Sequence, residues 1–233
     1  MNQEAARTCG TIRCMYSEQP APRWLWRSVT WLFGALLVMV LGLGVALALG
    51  AADTPRAGPL LWMDDFKSGA ARWHFSIAGG NLGPRQGALV ADLAENQMAA
   101  ALTARPNGDF TLEMAGAQTG GALGTKYGLV LGWRDPTHYS AVLVNGNGYV
   151  EAYQRDGAQR RDWFQWQQWP HLLAGAASNR VRADVRGRQI TVRINDEVLL
   201  EATADTLGEI GVLARDSVAP SQVVVSWVKV WGK

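Results

Sequence analysis

The sequence predicts an all-β domain, a two-sheet antiparallel jelly-roll sandwich, preceded by one N-terminal transmembrane helix. Two observations predict it. An uncharged apolar run of membrane-crossing length lies near the N-terminus, and from Leu60 onward apolar residues recur at every second position in short runs broken by Gly, Asn, Asp and Pro. The chain divides accordingly into a basic cytoplasmic tail (1–27), a transmembrane helix (28–50), a linker (51–59) and a β-sandwich (60–233).

The tail carries four Arg and two Glu, whereas residues 53–233 carry eighteen charges of each sign, so the net charge of +2 belongs to the tail. A neutral domain lacks the sequence-independent attraction to phosphate backbones, which argues against a nucleic-acid partner. Both cysteines, Cys9 and Cys14, also lie in the tail. The β domain therefore has no internal disulfide and must be held by packing alone.

No charged residue separates Arg27 from Asp53, and Trp31 to Leu49 is continuously apolar. Nineteen residues at a rise of about 1.5 Å reach about 28 Å, close to the hydrocarbon thickness of a bilayer. Arg13, Arg23 and Arg27 precede the run while Asp53, Asp64 and Asp65 follow it, which places the N-terminus in the cytoplasm and the later domain outside. Trp24, Trp26 and Trp31 stand where interfacial anchors belong. The competing reading is a cleaved secretory signal with Ala48-Leu49-Gly50 as the small-residue site, but the apolar core is longer than the usual h-region. With either reading the β domain is exported. Ala51 to Pro59, with two prolines, reads as a tether.

Strand alternation is clearest from Asn179 to Ala202. Val181, Ala183 and Val185 alternate with charged residues; Gly187 turns the chain; Ile190, Val192 and Ile194 follow; Asn195-Asp196 turns it again; then Val198, Leu200 and Ala202 alternate with Glu197 and Glu201. Three adjacent antiparallel strands are expected, with Arg182, Arg186, Arg193, Glu197 and Glu201 outward. Further strands are expected at 60–66, 73–77, 88–93, 97–103, 110–117, 127–133, 139–144, 149–154, 163–166, 209–213 and 223–231, with the first and last as neighbours. About a dozen strands without a long helical pattern fit a sandwich.

Several of these segments carry a family resemblance: Asp64-Asp65-Phe66, Trp73, Gly87-Ala88-Leu89, Tyr127-Gly128-Leu129-Val130, Arg134-Asp135-Pro136-Thr137-His138-Tyr139, Asn179-Arg180-Val181-Arg182, Ile190 to Asn195 and Gly208-Glu209-Ile210-Gly211-Val212. In this order they resemble the concanavalin A-like lectin/glucanase superfamily, in the laminin-G-like bacterial branch that includes 3-keto-disaccharide hydrolase-type domains. The resemblance covers Leu60 to Trp231 and implies the sandwich fold. Two departures are visible: Asn195-Asp196 replaces the usual Asn-Gly turn, and Val225-Ser226-Trp227 stands where a Phe-Asp pair is common, which removes an acidic residue and any calcium role it had. No cofactor is expected, and calcium has no support from the residues present.

A glycosidase on such a fold needs two carboxylates facing one bond, and no strand shows acids at alternate positions in that pattern. Asp64 and Asp65 are adjacent and point to opposite faces. His74, His138 and His171 form no metal-binding pattern. The unusual feature is aromatic. Asp162 to Pro170 holds Trp163, Phe164, Trp166 and Trp169 among polar residues. Strand alternation puts Trp163 with Gln165 on one face and Phe164 with Trp166 on the other. One reading has these rings capping the sandwich edge; the other is a stacking platform for sugar C–H faces, with Gln165 and Gln167 bonding hydroxyls and Tyr149 and Tyr153 extending the surface. The sequence thus points to a non-catalytic, membrane-anchored domain binding glycan or cell-envelope polysaccharide outside the membrane. The alternatives are an accessory subunit that docks the sandwich on a neighbouring membrane or envelope protein, and a glycoside hydrolase of the 3-keto-disaccharide type.

Overall fold

A computed structural model describes residues 23–48, 58–78, 80–215 and 219–232, in two units that divide between Thr54 and Pro55. The tail up to residue 22, the Leu49-Gly50 part of the cleavage motif and linker residues 51–57 lie outside the described residues.

The first unit contains one helix, α1 (Arg23–Ala48). Its described side chains are Ser28 and residues 31–45, all exposed, Trp31 at 80 %. Among the described residues, no helix is long and apolar enough to cross a membrane. The expected span begins at Ser28, and its side chains at 29–30 and 46–50 lie outside the described ones.

The second unit is built of strands. In chain order they are β1 (Leu60–Asp64), β2 (His74–Ala78), β3 (Asn81–Arg85), β4 (Ala88–Leu93), β5 (Met98–Thr103), β6 (Phe110–Gly121), β7 (Lys126–Asp135), β8 (His138–Val144), β9 (Tyr149–Asp156), β10 (Gln159–Gln168), β11 (Asn179–Arg186), β12 (Gln189–Ile194), β13 (Glu197–Thr203), β14 (Glu209–Arg215) and β15 (Ser221–Gly232). They form two antiparallel sheets. The first runs β13-β12-β11-β6-β15-β4-β3, with β1 on the C-terminal half of β15; the second runs β10-β9-β8-β7-β14-β5-β2.

The inner faces supply the core by simple alternation. Phe110, Leu112 and Met114 of β6, Val181, Ala183 and Val185 of β11, and Ile190, Val192 and Ile194 of β12 pack with Tyr127, Leu129 and Leu131 of β7 and Ile210 and Val212 of β14. All are nearly inaccessible to water. Removing this apolar area from water is the dominant stabilising term for a domain without cross-links.

The hairpins from Asn179 to Thr203 pair as expected, with Val181 opposite Ile194 and Ala183 opposite Val192. The last strand departs from the expected alternation. A register shift after Val192 puts Arg193 opposite Val198 and Ile194 opposite Glu197. Leu199 is thereby buried and Val198 exposed, and Glu197 leaves the outward charged row. A bulge of this kind adds one residue to one strand and inverts the faces beyond it. Strand β3 was not expected. It contains Gly83 and Pro84 and lies at the sheet edge, where a missing N–H costs no ladder bond.

Asn195 and Asp196 both have positive φ, 50° and 76°. An Asp in the second position is less at ease there than Gly. The turn is tied down instead by the Asn195 side chain, which accepts the Arg180 N–H at 2.8 Å and donates to the His171 carbonyl at 2.7 Å.

On the outward face of the first sheet, Glu113 of β6 sits beside Arg182 and is nearly buried. Burial pushes its carboxyl above the ordinary 4.5, against the pull of Arg182 and Arg180. The folded chain then holds this proton to higher pH than the unfolded chain, so the term opposes folding as pH rises through the shifted value and vanishes below the ordinary one. Glu113→Gln is expected to raise the melting temperature at pH 8 and to match the parent near pH 4. An equal difference at both pH values would show that the carboxyl charge is not the cause.

Candidate functional site

Strand β10 is the edge of the second sheet, paired on one side with β9. Register shifts fall between Asp162 and Phe164 and again between Phe164 and Gln167. These two interruptions break the alternation assumed for the aromatic segment. Trp163 and Phe164, expected on opposite faces, both pack against the core between the sheets, and Trp169 joins them. Trp169 meets Phe164 edge to face at 5.9 Å, and its backbone N–H bonds the Gly148 carbonyl at 2.9 Å. These three rings close one edge of the sandwich.

Trp166 stays at the surface, 37 % exposed. Its ring stacks with Tyr149 at 5.4 Å, and the Lys126 ammonium lies 4.6 Å from its centroid. Gln165 and Gln167 are exposed. Tyr153 is buried in the outward face of the second sheet. The structure therefore brings Tyr149 and Trp166 together and does not place Trp163, Trp166 and Trp169 on one flat surface.

Sequence reasoning passed over the ionic group beside this pair. Glu151 lies between Tyr149 and Tyr153 on β9 and is 2 % exposed. Its two oxygens engage Lys126 at 3.0 Å and Arg160 at 2.7 Å. Arg160 also bonds Asp162 at 2.6 Å and lies 3.9 Å over the Tyr153 ring. The alternation Tyr149, Glu151, Tyr153 on a predicted strand was the legible signal. Two carboxylates do approach one another here, but Arg160 stands between them. A hydrolytic pair needs open space for the scissile bond, and this pair holds a cation there.

Arg215 of β14 donates from one nitrogen to the hydroxyls of both Tyr139 and Tyr153, and Trp133 stacks on Tyr139 at 5.1 Å. Ala100, Leu102, Val130, Ala141, Leu143 and Leu213 lie among these larger side chains as a second buried cluster. Burial pushes the Tyr153 phenol far above its ordinary value, more strongly than Arg215 pulls it down. Burial likewise raises Tyr127, whose hydroxyl donates to the Gly116 carbonyl at 3.2 Å.

On the other side of β10 lies a groove of about 600 Å³. One wall is Arg161, Asp162 and Trp163 of β10; the other comes from β11, β12 and β13. Strand register arranges that second wall in two rows. Asp184, Thr191 and Glu201 are directly opposite one another, as are Arg186, Gln189 and Thr203. An aromatic side chain and polar rows lining one groove suit a ligand with apolar faces and hydroxyl edges. The volume lies within the usual range for small-molecule sites.

Among the described residues, no group of three His, Cys, Asp or Glu side chains is placed to hold a metal ion. His138 lies between Asp135 at 2.8 Å and Asp156 at 3.4 Å, where it closes the β7–β8 turn. His74 faces Glu209 at 3.1 Å.

No protein-family model matches the chain, and no curated protein matches its sequence. Solved structures do match in fold. The carbohydrate-binding module CBM66 from Bacillus subtilis aligns at 12 % identity over 65 % of this chain and 91 % of its own, with a TM-score of 0.53. A β-1,3-glucanase from Mycobacterium marinum aligns at 14 % identity over 76 % of this chain and 100 % of its own, with a TM-score of 0.52. The metal-free carbohydrate recognition domain of Emp46p aligns at 13 % identity over 73 % and 92 %, also with a TM-score of 0.52. At these identities the likeness shows the fold, a two-sheet antiparallel β-sandwich, and leaves chemistry to the residues.

The tyrosine environments are directly measurable. In an absorbance titration of the folded chain to pH 11, Tyr153 should remain protonated and Tyr127 should ionise later than an exposed phenol, and unfolding at pH 11 should release a further ionisation step. A folded protein whose phenols all ionise by pH 11 would contradict the buried placement.

Proposed function

We propose that the β-sandwich binds glycan in the groove between β10 and the β11–β12–β13 ladder. The observation that carries this reading is that half-buried Trp163 and two polar rows line one space of about 600 Å³. A pyranose ring presents an apolar C–H face and an equatorial rim of hydroxyls. The indole takes the face, while Gln189, Thr191, Glu201 and Thr203 are within the wall that takes the rim. Trp166 and Tyr149, with Gln165 and Gln167 at the exposed edge, form a neighbouring surface along which a longer chain would continue. Fold likeness to a carbohydrate-binding module and a carbohydrate recognition domain supports the same class of ligand. The arrangement is one of binding rather than hydrolysis, because Glu151 and Asp162 are held by cations.

The test is a glycan-array screen of the full chain and its variants. Thr191→Ala combined with Gln189→Ala removes two wall groups from exposed or half-exposed positions and is expected to weaken binding about tenfold, with the melting temperature retained. Binding that survives this pair but is lost in Trp166→Ala would move the site to the Tyr149 surface. A parent chain that binds no glycan would overturn the reading.

The same proposal includes a tether. The uncharged apolar run from Trp31 to Leu49 anchors the chain in a bilayer with residues 60–233 on the far side from the Arg-rich tail. After alkaline extraction of membranes from cells producing the full chain, the protein is expected in the pellet. Its quantitative release to the supernatant would contradict the tether.

A further inference from the structure

We infer that the ligand of the groove is an anionic sugar, held by its acidic group between Arg161 and Arg186. This rests on the glycan-binding reading of the same groove and adds its charge specificity. Five charged side chains line the walls: Arg161, Arg186, Asp162, Asp184 and Glu201. Two of the three acids are already compensated. Asp162 is bonded by Arg160 at 2.6 Å, and Asp184 by Arg182 at 2.9 Å and by the Thr111 hydroxyl at 2.5 Å. Arg161 and Arg186 have no ion-pair or hydrogen-bond partner among the described residues, and both are exposed. A guanidinium remains charged at all working pH values and matches a planar carboxylate or a sulfate in two-point geometry. Two such groups, one on β10 and one on β11, line the same groove with no carboxylate bonded to either among the described residues.

Glu201 is the remaining acid without an ion-pair partner among the described residues, and strand register separates it from Arg186. It belongs to the row of Asp184 and Thr191, whereas Arg186 belongs to the row of Gln189 and Thr203. Rows two residues apart on a strand are about 6.7 Å apart, a spacing comparable to the breadth of one pyranose ring. A sugar lying across the rows therefore places its acidic substituent at Arg186 and Arg161 and its opposite hydroxyls at Thr191 and Glu201. A carboxylate accepts hydrogen bonds from vicinal hydroxyls and repels a second anion, so Glu201 fixes the orientation.

The experiment is calorimetric titration of the full chain with trigalacturonate, its neutral methyl ester and a sulfated galactotriose, repeated on Arg161→Gln/Arg186→Gln. The parent is expected to prefer at least one acidic probe about tenfold over the neutral ester, and to lose that preference as salt rises. The double variant is expected to lose the acid preference, its affinity for the acidic probe falling about tenfold relative to its affinity for the neutral ester. Preference for trigalacturonate identifies a uronate, and preference for the sulfated probe a sulfate ester. Equal binding of all three probes by the parent, or an acid preference that persists in the double variant, overturns the charge assignment while leaving glycan binding in place. Binding of none overturns both.

Discussion

The closure of one open edge of the sandwich by Trp163, Phe164 and Trp169 is the constraint on which the rest depends. Two stacked sheets bury their facing sides but leave the gap between their edges open to water, and β10 and β13 are the edge strands of the two sheets. Strand β10 meets this by giving up ladder regularity at two points, so that successive residues turn toward the core. The indole N–H groups of Trp163 and Trp169 are left buried without acceptors, each at a cost of about 1–3 kcal/mol. The three rings are half-buried, so each gains a part of the about 4–6 kcal/mol that burying about 150–250 Å² at about 25 cal/mol per Å² would contribute, which offsets the lost hydrogen bonds.

The distorted strand then serves both of its sides. Toward β9, Arg160 binds Glu151 and covers Tyr153, and Arg215 ties Tyr139 to Tyr153. Buried ionic and phenolic groups satisfied by one another in this way resist rearrangement, because removing any partner leaves another group desolvated and alone. Toward the β11–β13 ladder, the same residues present Arg161, Asp162 and Trp163 as a wall. A wall fixed by core aromatics on the inside loses little conformational freedom when a ligand arrives, and preorganisation of that kind raises affinity without added contacts.

Much of the architecture was legible in the amino-acid order. The period-two runs gave the inner faces of β6, β11, β12 and β15, and Leu60 and Trp231 are paired as the first and last strands should be. What escaped was local irregularity. The bulge that buries Leu199 in place of Val198 changes no composition, and β3 hides behind Gly83 and Pro84 because edge position, a tertiary fact, is what tolerates them. The aromatic cluster was recognised as the unusual segment, but assigning faces by strict alternation separated Trp163 from Phe164. The groove could not be read at all, since its walls come from β10 and from a ladder some twenty to forty residues later. The Glu151 pairs were hidden for the same reason, although its place between two tyrosines was visible.

Hydrogen exchange of the full chain, with and without a saturating acidic trisaccharide, locates the site most directly. Binding in the groove predicts added protection in residues 159–164 and 184–203, with the amides around Trp133 and Tyr139 unchanged. Protection confined to the Trp133–Tyr139 region, or to β1 and β15, would place the ligand elsewhere and contradict the groove as the binding site.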